Sequence, residues 1–260
     1  MAPQRPRVRA YAHRGGSYHP EIEGLENTMA AFEHAVALGY RHLETDVHVT
    51  RDGVLLAFHD SVLDRVTDRT GAIADLTYAE VRAARVGGRH EVPTLAELFA
   101  AFPAVEFNID LKSEGAVDAL AEFLAASGEE DRVIVGSFSP ARLDRFRRVT
   151  GGRVRTSAHP VEVLAYMVLP SGRLADLATR RRVSVLQIPH RRRLGPFRVT
   201  VASRSLVRKA HAAGKEVHVW TIDEPGEMAR LLDRGVDGLM TDRTDLLKDV
   251  LEARGQWEEG

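Results

Sequence analysis

A (β/α)8 TIM barrel of the α/β class, carrying one extra β-hairpin strand and a small insertion after it, is the fold this sequence predicts. Three observations carry the expectation. Short apolar, β-branched runs alternate with longer helical stretches from end to end, as parallel strands joined through helices require. Nine such runs occur, and spacing marks one as a hairpin return, which leaves the eight of a barrel. Charged and polar residues gather at the C-terminal ends of the runs, where barrel proteins carry their sites. A doubly wound open sheet is the alternative that alternation alone leaves open.

The candidate strands are Val8–His13, Leu43–Val49, Val54–Phe58, Val105–Leu111, Val133–Phe138, Val154–Ala158, Val183–Ile188, Val217–Thr221 and Gly238–Thr241. Candidate helices span Thr28–Leu38, Leu95–Phe102, Ala116–Ala126, Ala141–Val149, Val161–Ala178, Ser203–Ala213, Pro225–Asp233 and Asp245–Ala253. Asn27 or Thr28, Thr94, Ser139-Pro140 and Glu224-Pro225 supply caps or a first-turn proline, and Gly39, Gly128, Gly214 and Gly235 stand where helices should stop. Only Thr50-Arg51-Asp52-Gly53 separates the second run from the third, too little for a parallel crossover but suitable for a hairpin. Residues 60–93 lack a strong period, so they are expected to be functional or to hold small structure of their own. The chain reads as one domain over 1–260, with a frayed tail at Gly255–Gly260.

At 260 residues and 44% hydrophobic, the chain can bury a large core. Its net charge of −1, from 36 basic and 37 acidic residues, gives no overall field to recruit nucleic acid. The absence of cysteine excludes disulfides, thiolate metal sites and a cysteine nucleophile. No run is long and apolar enough for a signal peptide or a membrane span, so a cytoplasmic protein without stable membrane insertion is expected. Nothing in the sequence sets the oligomeric state.

His13 and Arg14 end the first strand, Glu44 and Asp46 lie in the second, Asp110 and Lys112 end the fourth in chain order, and Trp220 ends the eighth. Glu44 and Asp46, two apart, point to one face. With Thr50 opposite Gly53 in the hairpin, His59 falls opposite Glu44 on that same face. Carboxylates crowded in this way repel unless a cation lies between them. Oxygen ligands without cysteine favour Mg2+ or Ca2+, and Asp110 is the natural third ligand. Two imidazoles titrating near neutrality can then serve as acid and base across a phosphorus centre, with Arg14 and Lys112 holding its oxygens.

The strings HRGG (13–16), ENTMAAFEHAVALGYRHLETDVHVTRDGVLLAFHD (26–60), NIDLK (108–112), VHVWTID (217–223) and GVDGLMTD (235–242) closely resemble those of the glycerophosphodiester phosphodiesterases, from about Val8 to Asp249. The resemblance implies a (β/α)8 barrel, a divalent cation on Glu44, Asp46 and Asp110, and an acid–base pair at His13 and His59. It implies a small-molecule glycerophosphodiester substrate, cut to glycerol 3-phosphate and an alcohol through attack by a neighbouring substrate hydroxyl and a cyclic phosphate. The hairpin and the segment after His59 would be the insertion that members carry beside the site. Two residues depart from the pattern. Asp110 stands where glutamate is commoner, and Asp223 where asparagine is, as an added carboxylate near the site or as a helix cap. A lysophospholipase D-like activity and a non-catalytic phosphate-binding barrel are the alternatives; retention of both histidines speaks against the second.

Other residues carry competing readings. Glu26 and Asn27 either support Arg14 and His13 or, in the case of Asn27, cap the first helix. Trp220 lines the pocket or fills the barrel. Arg180–Arg182 suit a helix C-terminus. Arg191–Arg193 read as a solvated loop, with attraction of anionic substrates or lipid surfaces as the alternative. His42, His48 and His218 read as structural.

Overall fold

The computed structural model describes residues 7–195 and 197–257. Its elements in chain order are β1 (Arg9–His13), α1 (Met29–Ala37), β2 (His42–Val49), β3 (Leu55–Ala57), α2 (Tyr78–Arg82), α3 (Leu95–Ala101), β4 (Glu106–Leu111), α4 (Gly115–Ser127) and β5 (Val133–Gly136). They continue as α5 (Pro140–Val149), β6 (Arg155–Thr156), α6 (Pro160–Val168), α7 (Gly172–Ala178), β7 (Val185–Pro189), β8 (Arg191–Leu194), β9 (Phe197–Thr200), α8 (Arg204–Ala212), β10 (Glu216–Trp220), α9 (Pro225–Leu232), β11 (Gly238–Thr241) and α10 (Thr244–Ala253).

Eight strands run parallel in the order β6-β5-β4-β2-β1-β11-β10-β7. A parallel bridge from Ser157 to Val185 joins the two ends, so the sheet curls into the expected barrel and the open-sheet alternative falls. Aliphatic side chains from strands and helices pack between the two layers, among them Leu43, Val47, Ile109, Leu120, Val135 and Leu239. Helix starts follow the sequence signals. Thr94 accepts from Glu97 N–H while the Glu97 carboxylate returns to the Thr94 N–H, a capping box at α3, and Ser139 caps α5 ahead of Pro140. Thr28, not Asn27, caps α1. The four glycines expected as stops all have positive φ.

Four local expectations are corrected. β2 and β3 pair as Val47↔Ala57 and Val49↔Leu55, one residue away from the expected register. Thr50 faces Val54, not Gly53, because the turn holds three residues with Gly53 at φ 86, a type I turn followed by a left-handed residue. The single helix expected over Val161–Ala178 breaks into α6 and α7, since Pro170 cannot donate to the helical ladder. The sixth strand shrinks to two residues. Arg191–Arg193 do not form a solvated loop: they build β8, which pairs antiparallel with β9 in a sheet of its own.

The segment after His59 has a small core of its own. Leu56, Phe58, Leu63, Ile73, Val81, Ala84, Val86 and Val92 are buried together beside the barrel, under the short helix α2. This insertion is what fixes the chain that carries His59.

Candidate active site

The site begins with sheet register. In parallel neighbours, paired residues project to the same side, so the pairs His13↔Glu44 and Glu44↔Asn108 form one row and Asp46↔Asp110 the next. These rows lie at the C-terminal ends of β1, β2 and β4 and open into a cavity of about 880 Å³. His13, Arg14, Glu44, Asp46, His59, Asp110, Lys112 and Trp220 all line it. Every residue predicted as catalytic, substrate-binding or metal-ligating is therefore brought to one place.

The HRGG turn explains part of the geometry. Arg14, Gly15 and Gly16 follow β1 with φ of 50, 87 and 87, three successive left-handed residues that double the chain back. A Cβ on Gly15 would lie 2.6 Å from Ala31 Cβ, so only glycine lets α1 approach this closely. The turn aims the Arg14 N–H at Glu44 Oε2, 3.1 Å away, and sets Arg14 Nε 3.1 Å from Asp46 Oδ2.

His59 reaches the cavity by a route the sequence did not indicate. In the observed register it would extend β3 opposite Thr45, on the wrong face. The strand instead ends at Ala57, Phe58 N–H donates to the Asp46 carbonyl, and the chain then turns, which delivers His59 to the cavity. Its carbonyl accepts from His48, and its Nδ1 lies 2.6 Å from Asp60 Oδ1. Arg65 clamps Asp60 and binds Glu26 through two nitrogens; Glu26 in turn contacts Arg14. The insertion is thus wired to the first strand by charge-assisted bonds.

His13 is held in the same manner. Its Nδ1 lies 2.9 Å from Asp242 Oδ1, and its Nε2 is 3.8 Å from Glu44. Asp242 also accepts from Ser17 Oγ, and its own N–H donates to Asp223 Oδ1. Asp223 is therefore neither a helix cap nor part of the cavity lining, but a brace for the end of β11. Asp60 and Asp242 were missed as partners of the histidines, although each is the last residue of one of the family-like strings. Asn27 donates to Asp46 and accepts from Thr45, so its side chain meets the carboxylate cluster and not Arg14, His13 or the start of α1.

Burial opposes a charge on His13, yet the Glu44 carboxylate and the Asp242 bond outweigh it and hold the imidazole up to about 9. Burial, then the neighbouring Asp46 charge, pushes Glu44 up to about 7. Lys112 and Arg14 overcome burial at Asp46 and hold it below the usual carboxylate range. Burial raises Asp110, and Asp110 and Asp46 hold Lys112 above the ordinary lysine range against desolvation. Lys112 Nζ spans Asp110 and Asp46 at 2.6 and 2.9 Å. Among the described residues no three His, Cys, Asp or Glu side chains are grouped as a metal site. The donor chemistry nevertheless suits a hard cation: the buried Glu44 and Asp46 carboxylates and the half-buried Asp110 face one cavity.

Residues 13–246 match the model of the glycerophosphoryl diester phosphodiesterase family. The chain belongs to that family. A Mycobacterium tuberculosis protein named probable glycerophosphodiester phosphodiesterase 2 is 41% identical over 251 residues, 96% of this chain and 92% of the relative. A mouse lysophospholipase D is 31% identical, over 95% of this chain and 87% of the relative. Among solved structures, a Silicibacter pomeroyi protein named putative glycerophosphoryl diester phosphodiesterase superposes with a TM-score of 0.78 at 26% identity, over 97% of this chain and 96% of that one. Like other glycerophosphoryl diester phosphodiesterases, the chain is a phosphoric diester hydrolase on a TIM barrel.

Proposed function

We propose that this phosphodiesterase hydrolyses a glycerophosphodiester to glycerol 3-phosphate and an alcohol by acid–base catalysis between His13 and His59. The observation that carries the reading is that each histidine has Nδ1 tied to an aspartate, which leaves Nε2 as the nitrogen available in the cavity. One Nε2 takes the proton from the attacking hydroxyl and the other returns one to the leaving oxygen. Arg14 binds phosphoryl oxygens and offsets the charge that grows on them, and Lys112 shares the task. Glu44, Asp46 and Asp110 are the residues that would hold a divalent cation, Mg2+ or Ca2+. When bound, the ion supplies electrostatic stabilisation of the phosphoryl group.

The reading agrees with an Oleispira antarctica phosphodiesterase solved with the product sn-glycerol-3-phosphate, which shares this fold at 22% identity and a TM-score of 0.76. A panel of glycerophosphodiesters tests it: glycerol 3-phosphate should be the phosphorylated product, and release of a phosphorylated headgroup instead would overturn the assignment. Among the described residues no helix is long and apolar enough to cross a membrane. The cytoplasmic location expected from the sequence is checked by cell fractionation.

One observation favours a second reading. The cavity wall away from the carboxylates is apolar, formed by Phe138, Val163, Leu164, Met167, Val199 and Trp220. An acyl chain would bury against it at about 0.8 kcal/mol per methylene, which suits the lysophospholipase D activity named for the mouse relative. Comparing kcat/KM for glycerophosphocholine and lysophosphatidylcholine separates the two.

A further inference from the structure

Two elements at the cavity mouth carry outer faces that extend beyond the cavity lining. On one side, α6 turns Val161, Leu164 and Val168 to solvent, 61%, 53% and 66% exposed. Positions i, i+3 and i+7 share one helix face, whereas Tyr166 of the same helix is fully buried. On the other side stands the β8–β9 hairpin. Phe197 is 72% exposed at its turn, and Arg191, Arg192, Arg193 and Arg198 lie exposed along its strands. Among the described residues, the side chains of these four arginines have no hydrogen bond and no acidic partner. Arg193 sits directly opposite Arg198. Like charges across a ladder weaken a two-stranded hairpin that is already marginal by itself, unless an anion lies against them. Both elements reach the same opening, Leu164 from the helix and Arg191–Arg193 from the hairpin.

We propose that this rim is an interfacial surface that seats the enzyme on an anionic phospholipid bilayer, with the cavity mouth turned toward the lipid. Charge complementarity selects this occupant. A face that mixes exposed aliphatic and aromatic side chains with unpaired arginines has the composition of interfacial segments, whose apolar groups enter the headgroup boundary while cations pair with lipid phosphates. A second copy docked through the same face would set arginines against arginines. Val161, Val168, Phe197 and Arg198 of this surface lie outside the lining of the catalytic cavity.

Co-sedimentation with vesicles tests it, using phosphatidylcholine alone and phosphatidylcholine mixed with phosphatidylglycerol. The wild-type enzyme should bind the anionic vesicles, bind the neutral ones far less, and lose affinity as salt rises. Phe197→Ser with Arg198→Glu should weaken binding by at least about fivefold, the order expected for one surface cation, and separately Val161→Ser with Val168→Ser should weaken it by a similar factor through lost apolar insertion. Turnover of a soluble glycerophosphodiester should not change, because none of these four residues lines the cavity. His13→Ala should bind vesicles as the wild type does, so failure of the catalytic assignment and failure of this proposal are distinguishable. Equal binding to neutral and anionic vesicles, no binding, or variants that bind like the wild type would overturn the proposal. So would a dimer in solution that the same substitutions dissolve, which would assign the face to a second copy.

Discussion

At His13 the ring is held from behind by Asp242, at His59 by Asp60, and in each case the aspartate comes from outside the strand that carries or leads to the histidine, or from the turn just after it. If each imidazole transfers a proton in the transition state, His13→Ala and His59→Ala should each lower kcat by at least about a hundredfold. The double variant should be little worse than either single one, since loss of one transfer already breaks the path. Asp242→Asn should cost about ten- to a hundredfold in kcat with little change in KM, because it alters the ring's orientation and basicity and not substrate contact. The carboxylates are tested separately. Chelation should abolish activity and Mg2+ or Ca2+ restore it, and Glu44→Ala or Asp46→Ala should lose metal binding by calorimetry while keeping the wild-type circular dichroism. Full activity after thorough metal stripping would withdraw the ligand assignment.

Among the elements, β6 has the least ladder of its own, two residues, and side chains make good the deficit. Arg147 on α5 donates to Glu162 on α6 through two nitrogens at 2.8 and 3.0 Å, to Thr156 Oγ1 at 2.9 Å and to the Ser157 carbonyl at 3.0 Å. All of these partners are buried. Removing one member strands the other, so Arg147→Ala should destabilise the fold by about 3–5 kcal/mol in urea titrations, far more than loss of an exposed ion pair. A cost below about 1 kcal/mol would show that solvent reaches Glu162. The β2–β3 hairpin teaches a different lesson. A three-residue turn shifted the register, and a strand that ends early brought His59 to the cavity regardless.

For the whole molecule, the N-terminal end of the barrel interior is polar. Arg9 contacts Glu106 at 2.9 Å, Glu216 at 3.3 Å and His42 at 3.0 Å, and His218 lies 3.0 Å from Glu216. Burial, then the Arg9 charge, pushes His42 down to about 3, and burial lowers His218 as well. Both are neutral in the fold near pH 7. As the pH falls below about 6.5 the unfolded chain takes up protons that the folded chain refuses. The contribution of these two imidazoles is therefore complete above that pH and is lost from about 6.5 toward 3, by about 2 kcal/mol for His42 at pH 5. The difference in urea midpoint between wild type and His42→Gln, measured at pH 7.5, 6 and 5, should shift in favour of the variant as the pH falls, and a difference that does not change with pH would overturn the assignment.

Strand and helix alternation, the hairpin spacing and the caps at Thr94 and Ser139 were legible in the sequence because each depends on neighbours within a few residues. So were His13, Glu44, Asp46 and Asp110, since strand periodicity and the rule that barrels carry their sites at strand C-terminal ends place them together without three-dimensional information. The remainder needed contacts between residues far apart in the chain. Asp242 stands 229 positions from His13, and Asn27 meets Asp46 only because the left-handed turn after β1 folds back beneath it. The β8–β9 hairpin escaped because its arginines carry no apolar alternation from which to read a strand. The sequence by itself determined the barrel and the chemical groups at its mouth, through local periodicity. Tertiary packing alone decided which aspartate orients each histidine, which cation neutralises each carboxylate and what surrounds the mouth, since these depend on distances that no local pattern encodes.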